Sequence, residues 1–308
     1  MPPQTVIIDC DTGMDDALAL LLALRTPACD VLGITTVGGN VPLPQVVRNT
    51  LVMVEHAGRE VPVYRGLARP LLAPPLTSES AHGSDGLGDI GFPDPQREPA
   101  AEHAVDFLIR TFMAATAPIT LITLAPLTNV ALALLREPRL EERIPRLVMM
   151  AGSITGGNTT AVAEFNVYAD VEAADIVFRS RIPKTMVSLD PIRKGARLYE
   201  ADAAQIEAGS TPWGQAFARL LRRLLDYRKP RPVTPPDLAA VAVALEPALA
   251  TGERWPVAVE TRGQYTRGMT VVDTRRRPAA ESPESHVNVI TAIDHVRFQA
   301  LVLATLAA

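Results

Sequence analysis

The segment VIIDCDTGMDDALALLLAL, residues 6–24, decides the fold class of this chain. Its apolar first part, Val6–Ile8, is predicted to form a buried β-strand, whereas Asp15–Leu24 is predicted to form a helix. A short acidic turn joins the two. A strand followed directly by a helix is the repeating unit of α/β proteins with a parallel sheet. The apolar run Ala17–Leu24 is too short to span a bilayer, which takes ~20 residues.

The alternation of strand and helix continues as far as Leu189. Further strands are predicted at Val31–Val37, Val61–Tyr64, Ile119–Leu124, Leu147–Met150 and Thr185–Leu189, and further helices at Leu43–His56, Ala101–Ala115, Leu127–Leu135 and Glu172–Phe178. The strands are continuous apolar runs, which is typical of strands buried on both faces. The sequence therefore predicts an α/β fold with a mostly parallel central sheet and helices on both faces.

The pattern changes after Asp190. Extra C-terminal helices are predicted at Ala201–Ala208, Pro212–Tyr227, Leu238–Leu245 and Ile293–Leu306, and small strands at Trp255–Glu260 and Met269–Val272. No Ser/Gly-rich linker divides the chain, so a single domain is predicted for residues 1–308. The longest stretch without periodicity is Pro70–Pro99, and such a stretch inside a compact domain is often functional.

The composition excludes several classes of protein. Hydrophobic residues make up 47% of the 308 residues, which is ample for a large core and excludes intrinsic disorder. The net charge of −4 argues against a nucleic-acid partner, because phosphate binding favours a basic surface. The two cysteines, Cys10 and Cys29, rule out a disulfide framework and suit a reducing cytosol. The segment before Asp9 lacks the basic region of a signal peptide, so we expect a cytoplasmic protein without a membrane partner.

Four carboxylates follow the first strand, at the place where open α/β sheets bind their ligands. They are Asp9, Asp11, Asp15 and Asp16. Crowded like charges need a neutralising partner, and a hard cation with oxygen ligands such as Ca²⁺ would supply it. Two alternatives stay open. Asp15 and Asp16 would also favour a helix N-terminus through the helix dipole. The D-x-D-T pattern also resembles the opening motif of haloacid-dehalogenase-type phosphatases, with Asp9 as nucleophile, although we find no convincing downstream partners.

Polar residues also follow three other predicted strands. Asn40 comes after the Gly38-Gly39 pair, and the Leu124 carbonyl precedes a proline where a helix begins. After the strand ending at Met150, the polar residues are Asn158, Glu164 and Asn166. The carboxyl ends of parallel strands share one edge of a sheet, so these groups are expected to converge on a small polar ligand. Carboxylates and amides pair well with vicinal hydroxyls, which makes a sugar a natural ligand.

With these motifs in order, the chain resembles the nucleoside hydrolase family, the inosine-uridine-preferring nucleoside N-ribohydrolases. The resemblance runs from Val6 to about Pro247. It rests on DCDTGMDDALALLLA, VGGN with RNT at 48–50, PVYRGLARPL, HGSDGLG, LAPLTNVALAL and AEFNVYADVEAA. It implies a sheet with a Rossmann-like core. It also implies hydrolysis of the N-glycosidic bond of ribonucleosides to ribose and free base.

The resemblance also implies roles for individual residues. The Ca²⁺ ligands would be Asp11, Asp16, the Leu124 carbonyl and Asp237, and Asp11 would act as general base on a Ca²⁺-bound water. The remaining roles concern the sugar: Asp15, Asn40 and Asn166 would bind the 2′- and 3′-hydroxyls, Asn158 and Glu164 the 5′-hydroxyl, and Met150 would pack against the ring. A homodimer or homotetramer is implied as well.

One departure from the family pattern concerns the group that protonates the leaving base. Many members carry His, and others Trp, just before the metal-binding Asp, where this chain has Pro236. Proline has no proton to donate. His82, within the Pro70–Pro99 stretch, is the best substitute, because some pyrimidine-preferring relatives use a His there. Tyr227 and Arg228, at the end of a predicted helix, are further candidates for contact with the base.

Three hypotheses follow from the sequence. The first is a Ca²⁺-dependent ribonucleoside hydrolase, and the second is a ribose- or nucleoside-binding relative that lost its acid at Pro236. The third is a phosphohydrolase acting through Asp9. The base preference is not readable, because loops form the wall of the site that faces the base and loops vary most.

Overall fold

The computed structural model describes residues 3–228, 232–275 and 286–307. The strands are β1 (Gln4–Cys10), β2 (Cys29–Thr36), β3 (Val63–Arg65), β4 (Thr120–Thr123), β5 (Arg146–Met150), β6 (Lys184–Val187), β7 (Ala250–Val259), β8 (Thr270–Val272) and β9 (His286–Ile293). The helices are α1 (Met14–Arg25), α2 (Leu43–His56), α3 (Glu79–His82), α4 (Ala104–Ala114), α5 (Thr128–Arg136), α6 (Leu140–Arg143), α7 (Phe165–Ala169), α8 (Val171–Arg179), α9 (Leu189–Gly195), α10 (Glu200–Ala208), α11 (Pro212–Arg228), α12 (Pro236–Leu245) and α13 (His295–Leu306).

The strands form one nine-stranded sheet in the order β3-β2-β1-β4-β5-β6-β9-β7-β8. The first six follow the strand order of a Rossmann fold, and all neighbours from β3 to β9 pair in parallel. Strand β7 is antiparallel to both of its neighbours, β9 and β8. The predicted α/β class, mostly parallel sheet and Rossmann-like core are therefore confirmed.

Apolar side chains cover both faces of the sheet. Successive residues of a strand point to opposite faces, and accordingly Ile8 belongs to one buried cluster and Ile7 to the other. The first cluster includes α1, α2, α11, α12 and α13, and the second includes α4, α5 and α8. Helix α1 is almost entirely buried, since it packs between the sheet and α11 and α12. This arrangement confirms the prediction of helices on both faces.

Several predicted boundaries are wrong, and β9 is not among the predicted strands. Ile293 ends β9 instead of starting a helix, and α13 begins at His295 after Asp294, whose carboxylate accepts from the backbone N–H of Val296 at 3.0 Å. Leu189 starts α9 and is not in β6. Strand β7 begins at Ala250, five residues before the predicted Trp255, because it pairs along β9. No helix among the described residues has both the length and the apolar character needed to cross a membrane.

Candidate active site

The carboxyl ends of β1, β2, β4 and β5 surround a cavity of about 340 Å³. These strands are neighbours in the sheet, so the loops that leave them meet at one edge. The structure brings together here most of the residues predicted from the sequence. The lining includes Asp15, Asn40, His82, Leu124, Met150, Asn158, Glu164, Asn166 and Asp237.

Asp11 and Asp16 are fully buried and contact residues that line the cavity. Asp11 Oδ2 accepts from the backbone N–H of Asn40 at 2.7 Å, while Asp11 Oδ1 has no protein partner. Asp16 Oδ2 accepts from Gly13 N at 2.9 Å and from Asn40 Nδ2 at 3.0 Å. The Asn40 residue thus orients both carboxylates, and one buried oxygen of Asp11 is left for a ligand.

Two glycines of the sequence motifs are sterically required in this arrangement. A Cβ on Gly39 would collide with the Asp11 carboxylate, and a Cβ on Gly13 would come to 2.5 Å from His82 Nδ1. Real Cβ atoms do not approach other atoms so closely, because hard-sphere repulsion rises steeply. The glycines therefore allow the segments that carry Asn40, Asp11 and His82 to meet.

We define the carboxylate cluster as Asp11, Asp15, Asp16 and Asp237. Ligand oxygens of the last three lie within 4.8 Å of one another. Burial, together with the charge of Asp15, raises the pKa of Asp16 to about 7. Burial is also the main cause that holds the pKa of Asp11 and of Asp237 well above the usual value, with the neighbouring aspartates adding to it. Without a cation, these carboxyl groups must share protons.

The residues present fit a hard divalent cation. All donors of the carboxylate cluster are oxygens, which Ca²⁺ prefers, and Asp11 Oδ1 is a buried acceptor without a partner. The Leu124 carbonyl accepts from Asn166 Nδ2 at 2.8 Å and retains a second lone pair. Within the described residues, the geometric cluster contains Asp15 beside the predicted ligands Asp16 and Asp237.

The opposite wall of the cavity comes from the loop after β5. The Glu164 carboxylate accepts from the backbone N–H groups of Gly152 and Asn166, both at 2.9 Å, and burial raises its pKa to about 7. Asn166 Nδ2 donates to the carbonyls of Leu124 and Met150. Asn158 Oδ1 accepts from Phe165 N at 2.9 Å. These contacts fix the polar groups of this wall before any ligand binds.

Of the three candidates for contact with the leaving base, one lines the cavity. His82 Nδ1 accepts from Met14 N at 3.1 Å and lies 3.6 Å from Asp15 Oδ1. A neutral His82 ring in this arrangement carries its proton on Nε2. Tyr227 is half exposed, contacts Arg223 and does not line the cavity, so its predicted role stays a prediction. The side chain of Arg228 lies outside the described part of the chain.

Pro236 begins α12 and lines the cavity together with Pro235. A proline is well suited to the first turn of a helix, because the N–H it lacks would have no partner there. It brings no proton donor to the site. The position at which the family resemblance implies an acid therefore offers only apolar contact.

Sequence reasoning missed several residues of the site. Ser78 Oγ donates to Asn40 Oδ1 at 2.6 Å, and Leu224, Val233 and Thr234 line the cavity from the C-terminal part of the chain. Asn129 donates to Asp9 Oδ1 at 2.7 Å, behind the cavity lining. The Asn in the motif LAPLTN was a usable signal for this last contact. Nothing in the local pattern indicated the others.

Comparison with known proteins adds independent findings. The family model described as inosine-uridine preferring nucleoside hydrolase matches residues 6–300. The pyrimidine-specific ribonucleoside hydrolase RihA of Salmonella enteritidis PT4 is 40% identical over 275 residues, which cover 87% of this chain and 88% of the relative. The solved structure of a purine-preferring ribonucleoside hydrolase from Gardnerella vaginalis has a TM-score of 0.91 and 33% identity, covering 99% of this chain and 98% of that chain. An inosine-guanosine nucleoside hydrolase structure has a TM-score of 0.92 and 30% identity, with 98% of each chain covered.

Proposed function

The chain belongs to the inosine-uridine preferring nucleoside hydrolase family and is an enzyme of nucleoside hydrolysis, and we propose that it cleaves the N-glycosidic bond of ribonucleosides with the help of Ca²⁺. One observation carries the proposal. Carboxylates, amides and the Leu124 carbonyl, from four neighbouring strand ends, converge on a cavity of about 340 Å³. This volume lies in the range of small-molecule sites, and the lining offers several partners for hydroxyl groups.

The cation would be held by Asp11, Asp16, Asp237 and the Leu124 carbonyl, with Asp15 close by. When bound, it supplies positive charge that offsets the carboxylate cluster and makes water more acidic. Asp11, whose Oδ1 no protein group contacts, accepts the proton of the attacking water. The remaining charge of the cluster stabilises the positive character that develops on the ribose ring.

The polar side chains of the cavity position the sugar. Asp15, Asn40 and Asn166 bind the 2′- and 3′-hydroxyls, and Asn158 and Glu164 bind the 5′-hydroxyl, as the family resemblance implies. Met150 packs against the ring. Since most of these side chains are already fixed by hydrogen bonds to the protein, little further ordering is needed when the substrate binds.

His82 in its imidazolium form protonates the leaving base through Nε2. In that form Nδ1 also carries a hydrogen, which faces Asp15 Oδ1 at 3.6 Å in place of the contact with the Met14 N–H. This assignment rests on its place in the cavity lining and on Asp15 Oδ1, which lies 3.6 Å from Nδ1 and favours the protonated ring. It also rests on Pro236, which removes the alternative donor. A histidine is a suitable acid near neutral pH, because its ordinary pKa lies close to it.

Pyrimidine ribonucleosides are the preferred substrates in this proposal. Support comes from the pyrimidine-specific relative, which is 40% identical, against 33% for the purine-preferring structure. The measurement is kcat/KM for uridine and cytidine against inosine and guanosine. We expect pyrimidines to lead by at least about tenfold, a difference that a few contacts to the base supply. A higher value for inosine contradicts this preference and leaves the hydrolase assignment intact.

The central test is ribose release from a panel of purine and pyrimidine ribonucleosides. We expect turnover in the presence of Ca²⁺, its loss with EDTA and its recovery when excess Ca²⁺ is added. No turnover of any nucleoside would overturn the proposal. In that case, tight nucleoside binding measured by calorimetry would favour the second candidate, a nucleoside-binding relative. The absence of an acid at Pro236 supports this candidate.

A further inference from the structure

The R-N-T triplet at residues 48–50 was part of the family resemblance, but the proposed chemistry gives it no role. It lies in α2, which packs beside α1. Two segments that carry site residues pass close to it. We call them the aspartate segment, residues 11–16, and the histidine loop, residues 82–89.

Asn49 connects these two segments directly. It is fully buried, and its Nδ2 donates to the Thr12 carbonyl at 3.1 Å and to the Asp85 carbonyl at 2.8 Å. Its Oδ1 accepts from Gln45 Nε2 at 2.9 Å. Both hydrogens of one amide group therefore hold two backbone carbonyls that lie 73 residues apart in the chain.

The neighbouring residues strengthen the same connection. Thr50 Oγ1 and Thr12 Oγ1 are 2.6 Å apart and form a hydrogen bond. Gly86 approaches so closely that a Cβ there would lie 2.8 Å from Asn49 Nδ2, and its φ of +76° is in the region that favours glycine. The histidine loop is thus packed directly onto the Asn49 amide.

The histidine loop can transmit this constraint to His82 itself. The Asp85 carboxylate accepts from the backbone N–H groups of Leu87 and Asp89, at 2.7 and 2.9 Å. Gly88 N donates to the His82 carbonyl at 2.7 Å. A loop closed by such internal hydrogen bonds moves as a unit, so holding Asp85 also holds the backbone of His82.

We propose that Asn49 is a positioning residue that fixes His82 relative to the aspartate segment. Without it, the loop would keep the hydrogen bond from Gln45 Nε2 to the Asp85 carbonyl, at 3.1 Å, and that from Arg223 Nε to the Gly88 carbonyl, at 2.7 Å, but neither joins the loop to the aspartate segment. This inference rests on the proposed function, because it assigns to His82 a task at the leaving base. The task requires a placement accurate to a fraction of an ångström, and a displacement of 1 Å can cost ~10²-fold in rate.

The two carbonyl contacts make asparagine specific at this position. An aspartate in its place would have the same shape but would present oxygen to both carbonyls, so that acceptor faces acceptor. A leucine would fill a similar volume and leave the Thr12 and Asp85 carbonyls without that donor, although Gln45 Nε2 still donates to the Asp85 carbonyl. Asn49→Asp and Asn49→Leu therefore remove the same connection by different means. If one variant fails to fold, the other still tests the inference.

The first experiment measures amide hydrogen exchange of the full chain, which needs no catalytic activity. In both variants we expect exchange in residues 82–89 to become at least about tenfold faster, because the loop opens locally. The matched control is Gln299→Leu. It also removes an amide donor from a helix, the contact of Nε2 with Asp202 Oδ1 at 2.6 Å, and Gln299 does not line the cavity. The control should leave exchange of residues 82–89 unchanged. Unchanged exchange in the Asn49 variants would overturn the inference.

The second experiment is a double-mutant cycle of Asn49→Asp with His82→Ala, followed by uridine hydrolysis in Ca²⁺. We expect Asn49→Asp to lower kcat by about 10- to 100-fold with KM within about threefold, and to have little further effect once His82 is gone. An equal fall of kcat in both backgrounds shows a merely structural role and overturns the inference. An inactive wild type overturns the proposed function instead, while hydrogen exchange still decides whether Asn49 holds the loop.

Discussion

Asp9 and Asp11 lie two residues apart at the end of β1, and both are fully buried, yet their surroundings differ. Asp9 Oδ1 accepts from Thr35 Oγ1 at 2.6 Å and from Asn129 Nδ2 at 2.7 Å, both of them neutral donors. Asp11 instead lies beside Asp16, while one oxygen of each residue, Asp9 Oδ2 and Asp11 Oδ1, has no partner. Burial raises the pKa of Asp9 to about 6, whereas burial and the charge of Asp16 hold the pKa of Asp11 well above its usual value.

This difference shows that burial alone does not identify a functional carboxylate. A carboxylate held by neutral donors serves the fold, as does Asp170 with Thr128 and the backbone N–H of Leu71. A carboxylate crowded by others needs a cation or a proton. Glu164 is intermediate, since backbone N–H groups hold it while it lines the cavity. The following predictions test this distinction, beginning with the largest expected effect on activity.

Asp11→Asn should lower kcat for ribonucleosides by about 10²- to 10⁴-fold, the usual contribution of a general base. The free energy of unfolding should stay equal or rise, because one charge leaves a crowded cluster. Ribose release and thermal unfolding of the same preparation measure both effects. A variant with kcat within tenfold of the wild type would show that Asp11 belongs with Asp9 as a structural carboxylate.

Removal of the cation should lower the melting temperature only through its effect on the carboxylate cluster. Addition of Ca²⁺ to EDTA-treated protein should raise the melting temperature, since a ligand at 100 times its Kd adds ~2.7 kcal/mol to the free energy of unfolding. Asp237→Asn should reduce this gain, and Asp9→Asn should preserve it. Equal melting temperatures with EDTA and with millimolar Ca²⁺ would contradict a cation site in the cluster.

Glu164→Gln should lower kcat/KM about tenfold, because three backbone N–H groups lose an acceptor that carries charge. It should also change the pH dependence of stability. The folded pKa of about 7 exceeds the ordinary 4.5, so the protonated carboxyl stabilises the fold below 4.5 and this stabilisation is lost as pH rises through about 7.

Relative to that of Glu164→Gln, the free energy of unfolding of the wild type should therefore fall by up to about 3 kcal/mol between pH 4.5 and 7. Chemical denaturation in EDTA at several pH values provides the measurement. If the two proteins differ in free energy of unfolding by the same amount at every pH, burial does not raise the pKa of this carboxyl group above that of a surface one.

Asp9→Asn should have the smallest effect on activity, with kcat within about threefold of the wild type. The variant keeps Oδ1 for Thr35 and Asn129 but buries an amide where Asp9 Oδ2 has no partner, which costs about 1–3 kcal/mol of stability. Phosphate release from p-nitrophenyl phosphate should be absent in both proteins. Phosphate release that the variant abolishes would instead identify Asp9 as the nucleophile of a phosphohydrolase.

The sequence was sufficient to predict most of the sheet and the place of the cavity. Buried parallel strands such as Leu147–Met150 are encoded locally, as unbroken apolar runs between turn residues. Polar residues just beyond such runs, including Asn40 and Asn166, could be assigned to one edge of the sheet without knowledge of any contact, since parallel strands end together. Strand β9 is not among the predicted strands, because its pairing with β6 and β7 is not visible in its own residues.

Residue type and position along the chain thus determined that this protein has an α/β fold, an acidic strand end and no acid at Pro236. Only the tertiary structure decided that Asp9 faces Thr35 and Asn129 while Asp11 joins Asp16, and that Asn49 holds Thr12 and Asp85 together. The physical reason is that periodicity and burial are local properties of a sequence. Hydrogen bonds across 26 to 120 residues depend instead on strand register and helix packing, which many distant residues set together.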